Sequence, residues 1–94
     1  MLNSKQIRSL RKQAHHLKPV IMVGEKGVTN NLLSELDRAL EDHELIKVSI
    51  AGLGKEQRHQ LTDKMCLASG ADRVQIIGRI SILYRPSQEP KLRI

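Results

Sequence analysis

The sequence predicts one mixed α/β domain in the order helix, strand, helix, strand, helix, strand, strand. Three observations predict it. Apolar residues recur at helical spacing in three separate stretches. Short runs rich in Val and Ile stand between and after those stretches. A Gly-x-x-Gly turn joins the first such run directly to the second helical stretch. Alternating helices and strands imply parallel pairing through right-handed crossovers, and a closing hairpin adds one antiparallel strand. The 94 residues allow one domain, 1–94, with little room for a second core.

The elements follow in order. Asn3 or Ser4 is a candidate N-cap, and Asn3 with Gln6 has capping-box spacing. Ile7, Leu10, Ala14 and Leu17 form one face of a helix over about Ser4 to His16. Lys18-Pro19 ends it, because proline disfavours the α conformation in the residue before it. Val20 to Val23 is the first strand. Thr29 is the N-cap of a second helix reaching about His43, with Leu32, Leu33, Leu36, Ala39 and Leu40 inward. Val28 and Leu33 are spaced to staple its start. Leu45 to Ala51 reads as a half-buried strand, with Ile46, Val48 and Ile50 on one face. Lys47 and Ser49 fall on the other face, which is open if three helices do not cover both sides.

Gly52-Leu53-Gly54 is a loop. Lys55 to Ser69 is a third helix with Leu61, Met65 and Ala68 inward, stopped by Gly70. Val74 and Ile76 mark one further strand, and Ile80, Ile82 and Tyr84 the last. Gly78-Arg79 is the tight turn between them. Pro86 to Ile94 is expected to be a loose tail.

The chain is organised around Val20 to Thr29, where strand, glycine loop and helix start follow one another in ten residues. Gly24 and Gly27 have no Cβ to block close approach, and the first N–H groups of a helix carry partial positive charge. This is a way of presenting backbone donors to an anion. Glu25 and Lys26 fill the middle of the loop.

The charge is unevenly spread. Residues 1–28 carry six basic residues against Glu25, and residues 47–94 carry nine basic and four acidic. Residues 29–46 carry Arg38 against Glu35, Asp37, Glu41, Asp42 and Glu44. The first helix has no acidic residue, so Lys5, Arg8, Arg11 and Lys12 form a basic flank, with Lys18 following. The second helix should show an acidic outer face, away from its N-terminus. A net charge of +6 grouped in this way favours a polyanion, and RNA or DNA is the common case.

Other classes are disfavoured. No apolar run reaches the roughly 18–20 residues needed to span a bilayer, and the N-terminus lacks a signal-peptide core. Cys66 stands alone, which fits a reducing, cytoplasmic setting. It reads as a small core residue. His15, His16, His43 and His59 show no metal-ligand spacing, and His43 reads as semi-buried. The loop lacks the Gly-Lys-Ser/Thr of a P-loop. We expect no enzyme, no cofactor, no metal and no small-molecule substrate. Tyr84 is the only aromatic residue, so RNA contacts should run mainly to phosphate and sugar.

Leu17-Lys18-Pro19, the run Val23 to Thr29, the run His43 to Val48, and Gly78 through Leu83-Tyr84-Arg85 occur in an order that resembles the CRM (chloroplast RNA splicing and ribosome maturation) domain. The stand-alone bacterial form of that domain is the YhbY family. The resemblance implies a two-layer α/β fold similar to the C-terminal domain of translation initiation factor three. It implies a four-stranded mixed sheet whose last strand is antiparallel to the others. It also implies RNA binding, with Gly24 to Gly27 analogous to the Gly-x-x-Gly loop of KH domains, and a link to precursors of the large ribosomal subunit. Glu25 departs from a purely basic loop and leaves its charge contact to Lys26.

The resulting expectation is a monomeric, cytoplasmic RNA-binding protein of ribosome assembly, with no membrane partner. Gly24, Glu25, Lys26, Gly27, Thr29, Lys5, Arg8, Arg11, Lys12 and Lys18 are the contact candidates, and Lys47, Arg79 and Arg85 a second set. The alternative is a module that docks a ribosomal protein or assembly factor through Glu35, Glu41 and Asp42. Double-stranded DNA binding lacks a helix-turn-helix signal.

Overall fold

The computed structural model describes residues 2–94. Its elements are α1 (Ser4–Ala14), β1 (Pro19–Val23), α2 (Asn30–His43), β2 (Leu45–Ile50), α3 (Lys55–Ser69), β3 (Asp72–Ile77) and β4 (Ile80–Tyr84). One sheet takes the order β1-β2-β4-β3. β1 runs parallel to β2, and β4 runs antiparallel to both of its neighbours. The last strand is therefore inserted between β2 and β3, and is antiparallel to all the others.

Period-two patterning decides the two faces. Ile21, Val23, Ile46, Val48, Ile50 and Leu83 point to one side, where Leu32, Leu36 and Leu40 of α2 and Met65 of α3 close the main core. The sheet and this helix pair make two layers. α1 lies across part of the opposite face, where Leu10 and Ala14 pack on Leu45, Val74, Ile82 and Tyr84. The end of that face nearest the glycine loop is open, and Lys47 and Ser49 sit on it half-buried.

The helix ends obey local chemistry. Asn3 and Gln6 exchange side-chain to backbone hydrogen bonds of 2.8 and 3.0 Å, a complete capping box. α1 stops at Ala14 rather than His16, because the Leu17 N–H already turns back to Ala14 O at 3.0 Å ahead of Pro19. Leu17 consequently leaves the helical face and is 37% exposed. Thr29 Oγ1 accepts from Leu32 N–H at 3.1 Å and caps α2. Gly70, with φ +77°, ends α3. Gly78 has a positive φ and Arg79 does not, which gives the hairpin a type II′ turn.

Three expectations are corrected. α3 turns Thr62 inward with Met65, and Ala68 faces solvent. The Thr62 hydroxyl donates to Arg58 O at 2.8 Å and so accepts from Ser81 at 2.6 Å, which satisfies both buried groups. His43 is exposed at the end of α2 instead of semi-buried. Residues 86–94 form no helix or strand, yet they are held rather than loose. The Glu44 carboxylate accepts from Ser87 N–H at 2.9 Å, Lys91 N–H at 2.9 Å and Leu92 N–H at 3.0 Å. Leu92 packs on the α1 side of the sheet, and Gln13 donates to Arg93 O at 2.7 Å.

Candidate nucleic-acid interface

The parallel pairing of β1 and β2 places their C-terminal ends together, and Ile50 N–H bonds Arg79 O at 2.8 Å. The loop after β1, the loop after β2 and the Gly78-Arg79 turn therefore share one end of the sheet. The glycine loop is a turn closed by Gly27 N–H to Gly24 O at 3.0 Å. Gly27 N–H is thus spent inside the turn. The N–H groups of Glu25 and Lys26, and those of Asn30 and Asn31 in the first turn of α2, have no intramolecular acceptor among the described residues. The Val28 and Thr29 N–H groups likewise have none among the described residues, and it is donors of this kind that an anion can use.

The two glycines differ. Gly27 has φ +69°, where an L side chain is strained, whereas Gly24 has an ordinary φ, and neither has an atom near the position of a Cβ. Gly27→Ala is expected to cost roughly 1–2 kcal/mol in stability and Gly24→Ala well under 1 kcal/mol. Chemical denaturation of both variants checks this. Equal costs would show that the loop does not hold Gly27 in its left-handed conformation.

The predicted site residues divide into groups. Lys5, Arg8, Arg11 and Lys12 are all exposed on the outer stripe of α1. Arg11, Lys12, His15 and His16 line a shallow hollow against Gln75 and Ile77 of β3. Lys26 is exposed in the loop, Arg79 is exposed in the hairpin turn, and Lys47 sits on the open sheet face between them. α1 and Lys47 thus lie on one face of the sheet, and the glycine loop and Arg79 at the end where β1 and β2 finish. Thr29 serves as the cap that fixes the start of α2.

Two residues are not brought there. Lys18 precedes β1 and lies at the opposite end of that strand from the loop. Arg85 turns to the α2 side, where its guanidinium binds Asp37 Oδ1 at 2.7 Å, Asp37 O at 3.1 Å and Ser69 O at 2.9 Å. Glu41 is a further 4.0 Å contact. Arg85 is therefore committed to α2 and α3, because its position just past β4 puts it over the carboxylates of α2.

The acidic face also differs from expectation. Asp37 and Glu41 are occupied by Arg85, Glu41 Oε2 accepts from Gln88 N–H at 3.0 Å, and Glu44 is buried. The Ser87, Lys91 and Leu92 N–H groups hold the Glu44 carboxyl below the usual carboxylate range. Of the proposed protein-docking residues, Glu35 and Asp42 have carboxylates with no hydrogen-bond or ion-pair partner among the described residues. Glu35 is nearer the loop than its place in the helix suggested. It lines one hollow with Met22, Glu25, Lys26 and Thr29. Two carboxylates against one ammonium make that hollow, on the α2 side of the loop, a poor place for phosphate.

Burial pushes the Cys66 thiol up to about 11, so it stays protonated at neutral pH. Desolvation, and then the nearby Glu44 charge, raises the Tyr84 hydroxyl above its ordinary value. Among the described residues no three His, Cys, Asp or Glu side chains group to hold a metal ion. No helix among them is long and apolar enough to cross a membrane.

Fold and surface together define a small mixed α/β domain with a glycine loop and a basic helix flanking an open sheet face. The chain belongs to the CRS1/YhbY (CRM) domain family, whose family model matches residues 2–85. It is 44% identical over 89 residues to a probable RNA-binding protein of Pseudomonas aeruginosa, covering 95% of this chain and 86% of that one. It is 41% identical over 91 residues to a probable RNA-binding protein of Bacillus subtilis, covering 97% and 95%. The solution structure of a hypothetical protein from Staphylococcus aureus superimposes with a TM-score of 0.85 at 35% identity, covering 97% of this chain and 95% of that chain.

Proposed function

We propose that this protein is a cytoplasmic, monomeric RNA-binding protein that acts without catalysis, and that its RNA is ribosomal, in precursors of the large subunit. The observation that carries RNA binding is the segregation of charge. Arg8, Arg11, Lys12, Lys47 and Arg79 lie on or beside the open side of the sheet, while the carboxylates of α2 lie on the other side, Glu35 alone reaching the loop that carries Lys26. Relatives described as RNA-binding proteins support it. The ribosomal target is supported by the family's link to large-subunit precursors.

The mechanism is electrostatic with a shaped backbone contact. The glycine loop lets phosphate approach the free N–H groups of Glu25 and Lys26. Lys26 supplies charge at the loop, and the α1 cations extend the contact. Binding of purified protein to large-subunit precursor RNA fragments, across a salt series, tests the reading. Affinity should fall linearly in log–log form with salt and exceed that for unrelated RNA of equal length. Equal binding to all RNAs would remove the ribosomal target, and no binding to any would remove the RNA reading.

A further inference from the structure

One row of side chains crosses all four strands on the open face, at the end nearest the glycine loop. Met22 stands beside Ser49, Ser49 beside Ile80, and Ile80 beside Ile77. Paired residues in a sheet share a face, so these four form a continuous strip, about 14 Å wide at the usual interstrand spacing. Met22 is 73% exposed and Ile77 55% exposed, with Ser49 and Ile80 half-buried between them. The row behind holds Lys47, Ile82 and Gln75, and α1 covers Ile82.

A single exposed aliphatic residue needs no explanation. Here two of them end one row, and the Ile77 end meets a basic cluster. Met22 adjoins the glycine loop, where Lys26 stands with Glu25 and Glu35. Ile77 adjoins Arg11, Lys12, His15 and His16. Neither this row nor Lys47, Ile82 and Gln75 behind it includes a carboxylate. An apolar floor with a basic rim at its Ile77 end, and with exposed Arg79 in the turn beside Ile80, suits a partner with apolar faces and a negative backbone.

The geometry points to a subsite for unpaired RNA bases on this sheet face, with Met22, Ile80 and Ile77 as its floor. Lys47, Ser49 and Gln75 are the polar groups within the floor that meet base edges. The inference rests on the RNA reading above and adds that the bound RNA is single-stranded. A duplex keeps its base faces stacked inside and cannot offer them to the row, whereas an unpaired strand can. The strand would lie across the four β-strands with its phosphates toward the α1 cations and Arg79 and its bases inward. Aliphatic contact discriminates little among bases, so any sequence preference falls to Gln75 and Lys47.

The test compares the wild type with a Met22→Ser, Ile77→Ser double variant. Both positions are exposed, and an unchanged melting curve checks that the fold is kept. The probes are a mixed-sequence single-stranded RNA, its blunt duplex, and the same strand with abasic positions, each over a salt series. The wild type should prefer the single strand over both other probes, and the variant should lose about tenfold on the single strand alone. Its salt slope should be unchanged, because no phosphate contact is removed. Equal wild-type affinity for strand, duplex and abasic strand would overturn the subsite and leave RNA binding standing. No wild-type binding to any probe would overturn both. Dimerisation of the wild type without RNA, abolished in the variant, would assign the row to a second copy of the chain and overturn the subsite.

Discussion

Arg11→Glu combined with Lys26→Glu should lower affinity for ribosomal RNA by about a hundredfold at low salt, and should reduce the log–log salt slope by about 2. The two residues stand at opposite ends of the open face, one beside Ile77 and one in the glycine loop. Each reversal removes a cation that displaces a counterion, and each adds a charge that repels phosphate. At the loop the effect is compounded, since Glu25 and Glu35 already lie there and Lys26 is the only ammonium in that hollow. Both side chains are exposed, so stability should stay within about 0.5 kcal/mol of wild type. Arg85→Gln is the matched control. It removes a positive charge from the far side, where the guanidinium already serves Asp37, so the salt slope should not change. Equal binding by the wild type and the double variant would move the RNA surface off this face.

How much was legible in the sequence depended on the range of the cause. Helix starts and stops were legible because their causes lie within four residues. Asn3 with Gln6, Thr29 with Leu32, and Gly70 with Cys66 are such pairs. The inward faces of α2 and β2 were legible because periods of 3.6 and 2 are written directly in the residue pattern. Non-local placement was not. Nothing near Arg85 says that it will reach Asp37, 48 positions away. Nothing near Thr62 says that Ser81 will satisfy its hydroxyl, so the helix pattern pointed to Ala68 instead. The basic stripe of α1 was visible in the sequence, but not that α1 would lie across the sheet face opposite α2 and α3. That placement is what leaves the row from Met22 to Ile77 open, with the α1 cations at its Ile77 end. The exposure of Met22 and Ile77 had one available signal, an apolar residue within two positions of a glycine turn; that β1 and β3 are the edge strands was not legible.

The tail is where local reading failed most, and it carries the second large effect. Replacing Glu44 with glutamine should release residues 86–94 from the domain. The residue sits between α2 and β2 at φ 66°, a backbone conformation that disfavours a side chain and in which glycine is most at ease. A glutamate there calls for an offsetting contribution, and its carboxylate supplies one. It accepts hydrogen bonds from Ser87, Lys91 and Leu92 N–H groups, all from a segment more than 40 residues away in sequence. An amide side chain offers one oxygen and turns two donors toward a cluster of donors. Hydrogen exchange at Ser87, Lys91 and Leu92 should therefore become fast in Glu44→Gln, and Leu92 should leave its packing against the α1 side of the sheet.

Glu44→Gly separates the two roles. It relieves the backbone but still frees the tail, so its melting temperature should fall less than that of Glu44→Gln while tail exchange is equally fast. The wild type should reproduce the release on acidification. The Glu44 carboxyl is held below its ordinary value of 4.5, so its stabilising contribution is complete above that pH and is lost as pH falls through the lower folded-state value. Protection at the three amides should persist from neutral pH down past 4.5 and collapse only in more acidic solution, whereas Glu44→Gln should show no such step. Protection that survives in Glu44→Gln at neutral pH would mean that Leu92 packing and the Gln13 contact to Arg93, not the carboxylate, hold the tail.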